Sequence, residues 1–233
     1  MDSLSLIKEP ITEDDVFIIG AGHFGARAAR ILSQKTDSSI FIVDLDEDSL
    51  SMLDGIPVKK ISCDAIPFLV KNYSIFNAGN IIVPAVPVHL AYEWLKGYLK
   101  GTYEIRKIEN AKIFEEIKPL LPYTWPGSEG SLLVSYADFI CPDDCPEPEF
   151  CSVTGERRDN PLYNILGSLK PSGFKVHVIR SHQLAPGLGG YRVADLTRAE
   201  HELTSYKKGR CLLGTSCRCH GILTALEIKP VSD

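Results

Sequence analysis

Two stretches of this chain carry residue types at spacings that could do chemistry. The first is Val16-Phe17-Ile18-Ile19-Gly20-Ala21-Gly22-His23-Phe24-Gly25. An apolar run leads into a G-x-G-x-x-G loop, and Ala26 to Leu32 beyond it has helix composition. Strand, glycine loop and helix in that order are the context in which this pattern reads as a dinucleotide-binding fingerprint. Gly20 permits the tight turn, Gly22 lets backbone approach a pyrophosphate, and Gly25 lets the helix lie close to the strand. His23 and Phe24 fill the remaining loop positions and join the candidate cofactor contacts. The helix N-terminus adds N–H groups and a positive dipole end for the phosphates. Asp44 closes the next apolar run, Ile40 to Val43, roughly twenty residues on, where the fingerprint asks for an acid. A carboxylate there accepts both ribose hydroxyls and repels a 2′-phosphate, and no arginine follows in Leu45-Asp46-Glu47-Asp48. The expected cofactor is therefore NAD(H) rather than NADP(H). The plainer reading is a glycine-rich strand–helix turn with no ligand. A methyltransferase-type loop fits less well, because apolar Ile18-Ile19 precedes Gly20.

The second stretch is sulfur-rich. Cys141-Pro-Asp-Asp-Cys145-Pro-Glu-Pro-Glu-Phe-Cys151 puts three thiols in one proline-stiffened loop, and Cys211 is followed by Cys217-Arg-Cys219-His220 near the C-terminus. A tetrahedral zinc or an iron–sulfur cluster takes four soft ligands, commonly from separate segments. Prolines beside Cys141 and Cys145 reduce the entropy lost on ligation. The C-x₃-C-x₅-C spacing matches neither a bacterial ferredoxin run nor a zinc ribbon. Three readings stay open. Cys141, Cys145 and Cys151 hold a metal or cluster, completed by Cys217, Cys219 or His220. Alternatively, Cys217 and Cys219 form a reactive thiol pair, or the cysteines are unligated. Asp143, Asp144, Glu147 and Glu149 would lower a cluster's potential, or simply solvate a surface loop.

Proton-transfer candidates are His182, at the carboxyl end of the expected strand Lys175 to Arg180, and His89, beside the Pro84-x-x-Pro87 loop. Either also reads as an ordinary surface or helix-start histidine. His177 within the strand and His201 on a helix read as structural. Ser181 to Tyr191, with three glycines, reads as a long loop that binds an anion or approaches a nicotinamide, or as a plain surface loop. Arg157-Arg158 reads as a solvated turn, or as a pair for the loop's acids or a substrate carboxylate.

Composition sets the frame. The 233 residues suffice for one large or two small domains. The formal net charge is −5 and no basic cluster interleaves with aromatics, so nucleic acid is not an expected partner. No apolar run reaches membrane-span length. Met1 to Asp15 is charged rather than apolar, unlike a signal peptide, and the expected compartment is the cytoplasm. There, seven cysteines point to metal or thiol chemistry rather than disulfides.

The elements that must position these groups read as α/β. Residues 1–13 are a lead-in. Residues 14–100 alternate apolar strand runs (Val16 to Ile19, Ile40 to Val43, Val58 to Ile61, Ile81 to Val83) with helices, as in a Rossmann-type, mostly parallel sheet. Residues 101–233 form a cysteine-bearing α/β domain or an extension of the same sheet. Strands are expected over Tyr103 to Ile108, Ser131 to Tyr136, Lys175 to Arg180, Arg210 to Gly214 and Ile222 to Ile228. Helices are expected over Ala111 to Lys118 and from Thr197, where Thr197-Arg-Ala-Glu200 reads as a capping box. Pro122 to Gly130 reads as loop.

On Gly20-Ala21-Gly22-His23-Phe24-Gly25 and Asp44, residues 14 to 100 resemble the NAD-binding Rossmann domains of potassium-uptake regulators, the RCK or TrkA N-terminal family. That resemblance implies a nucleotide-sensing module. The expected function is an NAD(H)-binding redox protein or oxidoreductase with a cysteine-ligated zinc or iron–sulfur site. The alternative is an NAD(H)-sensing regulatory module with a structural metal. A homo-oligomer or a redox partner subunit is the expected company.

Overall fold

The computed structural model describes residues 7, 9–109 and 112–231, and the chain divides into two compact units. The first comprises residues up to Tyr98 together with Gly190–Ala194; the second comprises Leu99–Gly189 and the residues from Asp195 onward. Residues 1–6 and Lys8 of the expected lead-in lie outside the described residues.

The first unit alternates β1 (Val16–Ile19), α1 (His23–Leu32), β2 (Ile40–Asp44), α2 (Glu47–Ser51), β3 (Lys59–Ser62), α3 (Ala65–Asn72), β4 (Ile81–Pro84) and α4 (Leu90–Tyr98). The strands run parallel in the order β3-β2-β1-β4, with Val16 opposite both Ile40 and Ile81. Every residue of β1 is buried, which is why it is written as an unbroken apolar run rather than an alternation. Phe17 stacks between Phe41 (4.9 Å) and Phe76 (4.2 Å), while Trp94 packs on Tyr73 (4.5 Å). Asn80 is fully buried, and its Nδ2 donates to the carbonyls of Thr12, Glu13 and Asp15, tying the start of β4 to the entry of β1. Tyr191 and Arg192 return to pair antiparallel with Ile82 and Ile81, so the outer edge of β4 is covered by a reversed segment.

The second unit contains β5 (Tyr103–Lys107), α5 (Ile113–Ile117), β6 (Tyr123–Pro126), β7 (Leu132–Ser135), α6 (Leu162–Ser168), β8 (Lys175–Arg180), β9 (His182–Ala185), β10 (Leu188–Arg192, shared with the first unit), α7 (Val193–Ser205), β11 (Gly209–Ser216) and β12 (His220–Pro230). Its sheet runs β6-β7-β12-β11-β8, with β5 also on β12; only β8 and β11 are parallel. Ile117, Leu162, Leu166, Leu212 and Leu223 close the core between helices and sheet.

The α/β class holds throughout, and several local expectations change. Tyr123–Pro126, expected as loop, pairs with β7, because Trp125 faces Leu133 across the ladder. Ser181 to Tyr191 is a β9–β10 hairpin rather than a loop, turning at Pro186-Gly187 with Gly187 at φ +67°. α7 starts at Val193, so Thr197 and Glu200 lie inside it and cap nothing at its start. The expected helix start at Ala111 lies outside the described residues, and α5 runs from Ile113.

Candidate functional site

The glycine loop leaves β1 at the carboxyl end of the parallel strands, where the order passes from β1 to β4. Each glycine has a separate physical reason. Gly20 sits at φ +107°, and a Cβ there would meet the Ala85 carbonyl oxygen at 2.4 Å. A Cβ on Gly25 would stand 1.9 Å from the Gly20 carbonyl oxygen, so the helix comes this close to the strand end only because residue 25 carries no side chain. A Cβ on Gly22 would meet nothing within 4 Å. That glycine is not required by packing, and its openness is what a ligand's close approach would use. Gly22 is also the N-cap of α1 and offers no side chain to its first turn, whereas α2 and α3 open on Asp46 and Asp64, whose carboxylates cap them.

Asp44 stands at the end of β2, as read from the sequence. Its carboxylate accepts the N–H groups of Ala21 (2.5 Å) and Asp46 (2.9 Å), which fixes it beside the glycine loop. A carboxylate has about four lone-pair sites, so two remain for hydroxyls. Phe24 and Leu45 flank this region with unusual exposure, 60% and 70%. The His23 ring meets Phe24 edge-on at 5.1 Å. These residues fit an NAD(H) molecule: backbone and helix end for pyrophosphate, Asp44 for ribose, and exposed apolar side chains for a flat ring.

The second unit folds the two cysteine segments into one place. Cys217 to His220 is the tip of the β11–β12 hairpin, closed by Cys217 N–H donating to the His220 carbonyl (2.9 Å). The 137–161 loop is laced onto that tip. Tyr136 N–H donates to the Cys219 carbonyl (3.0 Å), Leu162 N–H to the Arg218 carbonyl (2.8 Å), and Arg218 N–H to Glu147 Oε2 (3.2 Å). Inside the loop, Phe150 bridges Arg157, and Gly187 N–H donates to the Cys145 carbonyl (2.7 Å). Gly187 is confined there by crowding as well as by its φ, since a Cβ would fall 1.6 Å from the Asp143 carbonyl oxygen.

His220 stands between two thiols. Its Nε2 lies 3.5 Å from Cys141 Sγ and its Nδ1 lies 3.8 Å from Cys217 Sγ. Because opposite ring edges face the two sulfurs, one ion cannot take both sulfurs and the ring without a rotamer change. Accordingly, among the described residues no three His, Cys, Asp or Glu side chains converge into a metal-holding group, and all the cysteines are free thiols. The donor set nevertheless has the chemistry of a thiophilic site. The Thr154 backbone and hydroxyl, and more weakly the Val153 backbone and the Arg158 side chain, favour a charged Cys151 sulfur and bring its thiol down to about 7. The Cys217 sulfur receives the His220 N–H at 3.4 Å, the same i to i+3 arrangement. Burial pushes the Cys217 thiol up to about 12 and Cys219 up to about 11, with the Glu147 charge adding to both, and it raises Cys141 as well. Desolvation by the surrounding chain also holds His220 below its usual value, although the residue reaches the surface. Neutral thiols crowded in this way are what a soft cation would deprotonate on binding.

Cys211 does not belong here. It lies mid-strand on β11, 1% exposed, opposite Leu226, and burial raises its thiol far above the usual value. Of the residues left open for completing the set, the hairpin tip brings Cys217, Cys219 and His220. Of the proton-transfer candidates, His182 opens β9 with an exposed side chain, and His89 is buried, its carbonyl accepting the N–H groups of Tyr92 and Glu93 in α4. Three residues close to the thiols carried little sequence signal. Arg218 donates to the Arg158 carbonyl (2.8 Å), Arg158 is only 8% exposed, and Glu147 holds a left-handed φ of +49° that turns its carboxylate toward the tip. The bridge at Phe150–Arg157 could have separated the arginines, since adjacent residues on extended chain face opposite ways.

Comparison with known proteins places this site inside a matched region. Residues 91–229 match the family model described as "Uncharacterized protein, C-terminal domain". Over 231 aligned residues the chain is 29% identical to an uncharacterized protein of Archaeoglobus fulgidus, covering 90% of this chain and 98% of that protein. The family match takes in more than half of the residues. The chain therefore belongs to that "Uncharacterized protein, C-terminal domain" family.

Proposed function

We propose that this chain is an NAD(H)-binding redox protein whose second unit carries a cysteine-ligated metal centre, zinc or iron–sulfur, working in the cytoplasm. The observation that carries the dinucleotide half is Gly22. It caps α1 at the carboxyl end of a β3-β2-β1-β4 parallel sheet and faces open space, while Gly20 and Gly25 are fixed by crowding. Asp44 supports NAD(H) over NADP(H), because a carboxylate accepts hydroxyl donors and repels a phosphate. Cys141, Cys145, Cys151, Cys217, Cys219 and His220 would hold the metal, which would supply structure or Lewis acidity as zinc, or electron storage as an iron–sulfur cluster. His182 is the accessible candidate for moving a proton; His89 is the buried one.

A second reading, an NAD(H)-sensing regulatory module with a structural metal, is favoured by the hydrogen bonds of Asp44. They couple the ribose-reading carboxylate directly to the backbone on both sides of it, a means of passing occupancy into loop shape. Among the described residues no helix is long and apolar enough to cross a membrane. The test is anaerobic purification followed by metal analysis, a visible spectrum, and titration calorimetry with NADH and NADPH. Bound metal and selective NADH binding support the proposal; an electron acceptor reduced by NADH favours the redox protein over the sensor. Absence of NADH binding overturns the dinucleotide half, and absence of metal overturns the other.

A further inference from the structure

The second unit has a cavity of about 450 Å³ where β8 and β11 begin, at the opposite end of β11 from the cysteine tip. Among the described residues its lining holds three cations, Lys175, Lys208 and Arg210, two rings, Phe174 and Tyr206, and no carboxylate. The backbone explains why the cations meet. Lys175 opens β8 in register with Cys211 of the parallel strand β11, next to Arg210. Between α7 and β11, Lys207 takes a left-handed φ of +56° and the Lys208 N–H donates to the Tyr206 carbonyl (2.5 Å). That tight turn, unusual for a residue with a Cβ, returns Lys208 and Arg210 to the cavity lined by Tyr206. The Lys175 ammonium is held in place, 3.3 Å from the centre of the Tyr206 ring. Carboxylates offset these charges poorly. Lys175 and Lys208 make no ion pair among the described residues, and Arg210 reaches Glu227 only at 3.9 Å. Glu202, one helical turn before Tyr206, is engaged by His177 Nδ1 (2.7 Å). Three like charges around one cavity repel each other, and a multivalent anion entering it would relieve that repulsion.

We infer that this cavity binds a small phosphorylated molecule that carries a flat ring. Three cations call for more than one negative charge, and a phosphate monoester supplies nearly two, with three acceptor oxygens. The Arg210 fork suits phosphate oxygens, and the two lysines add point charges around them. Phe174, half-buried and packed against the core of the second unit, gives the ring an apolar wall. The volume lies in the range of small-ligand pockets, about 300–1,000 Å³, whereas inorganic phosphate would fill little of it and leave Phe174 uncovered. The site uses neither the glycine loop nor the cysteines, so the inference stands apart from the dinucleotide and metal readings above.

The experiment titrates the full chain by calorimetry, at low ionic strength, with uridine 5′-monophosphate, with uridine and with inorganic phosphate. The nucleotide is expected to bind at least about tenfold more tightly than either fragment, because it alone meets the charges and the wall together. Lys175→Gln and Lys208→Gln should each weaken it about three- to fivefold, and the double variant about tenfold. Glu227→Gln frees Arg210 and should tighten binding about twofold. Lys118→Gln removes a charge that Glu115 holds at 2.6 Å outside the cavity, and affinity should stay within about 1.5-fold. These positions are exposed, so urea midpoints should be unchanged and report folding separately from binding. At about 1 M salt, where the Debye length falls to about 3 Å, the nucleotide should bind at least about tenfold more weakly. Wild type that does not bind uridine 5′-monophosphate overturns the inference. Inorganic phosphate or uridine binding as tightly as the nucleotide also overturns it, since the cavity would then read only one of the two groups. So does binding that the Lys175→Gln, Lys208→Gln double variant leaves intact, which would put the nucleotide elsewhere, as at the glycine loop.

Discussion

The glycine loop of the first unit and the cysteine tip of the second solve opposite problems. The loop is made of backbone: its shape follows from missing side chains, and each of its contacts lies within a short strand–turn–helix segment or on the neighbouring strand ends. The tip is made of side chains brought from residues 141–158 and 217–220, held on irregular chain by cross-loop hydrogen bonds. Crowding defines the first, with Cβ approaches of 1.9 and 2.4 Å that forbid substitution. Charge and sulfur define the second, with thiols and a carboxylate gathered at a half-buried hairpin tip. A backbone site tolerates almost no volume; a side-chain site tolerates volume and fails when charge or donor softness changes.

That contrast can be broken most severely at Gly25. Gly25→Ala drives a methyl into the Gly20 carbonyl, and backbone cannot move aside cheaply. A loss of about 3 kcal/mol in urea unfolding is expected, with NADH binding abolished. Gly22→Ala, whose methyl enters open space, should fold within about 1 kcal/mol of wild type while weakening NADH about tenfold. Unchanged NADH affinity in Gly22→Ala would remove the ligand reading of its open space.

At the other site, Cys217→Ser keeps shape and removes softness. Zn²⁺ affinity should fall more than about 100-fold, read by chelator competition, with NADH affinity unchanged. Full metal uptake by this variant would exclude Cys217 as a ligand.

Asp44→Ala tests the one side chain on which the backbone site relies. A loss of about tenfold for NADH, roughly 1.4 kcal/mol, is expected with NADPH little changed. Equal losses for both would mean that Asp44 serves the loop through Ala21 and Asp46 and not the ribose. The smallest effect is expected from Cys211→Ala. This thiol is packed on β11 away from the tip, so stability should fall by about 1 kcal/mol with metal stoichiometry unchanged.

The α/β class, the β1–loop–α1 order and Asp44 at the end of β2 were all legible in the residues, because each depends on neighbours in the chain or on one burial pattern. The elements misread were those whose pairing is remote. Tyr123–Pro126 is four residues long, mostly exposed and ends in proline, and it becomes a strand by lying against β7. Ser181 to Tyr191 carries turn residues at both ends, so its hairpin is visible only once β10 is placed. Thr197 and Glu200 have capping-box spacing, yet Val193 N–H and Ala194 N–H bond to the Asn80 and Ala78 carbonyls, and the helix begins there.

By itself, the sequence determined what could react: glycines without Cβ, an acid without an arginine after it, and soft donors at the ends of two segments. Only tertiary structure decided which of them share a place. It set Cys211 in the β-sheet core and brought Cys217, Cys219 and His220 to Cys141. It also turned Arg158 inward while leaving Arg157 in solvent. The physical reason is range. Steric permission and helix initiation act between adjacent residues, whereas ligand sets and buried charges depend on chain segments that meet only after the sheet between them has formed.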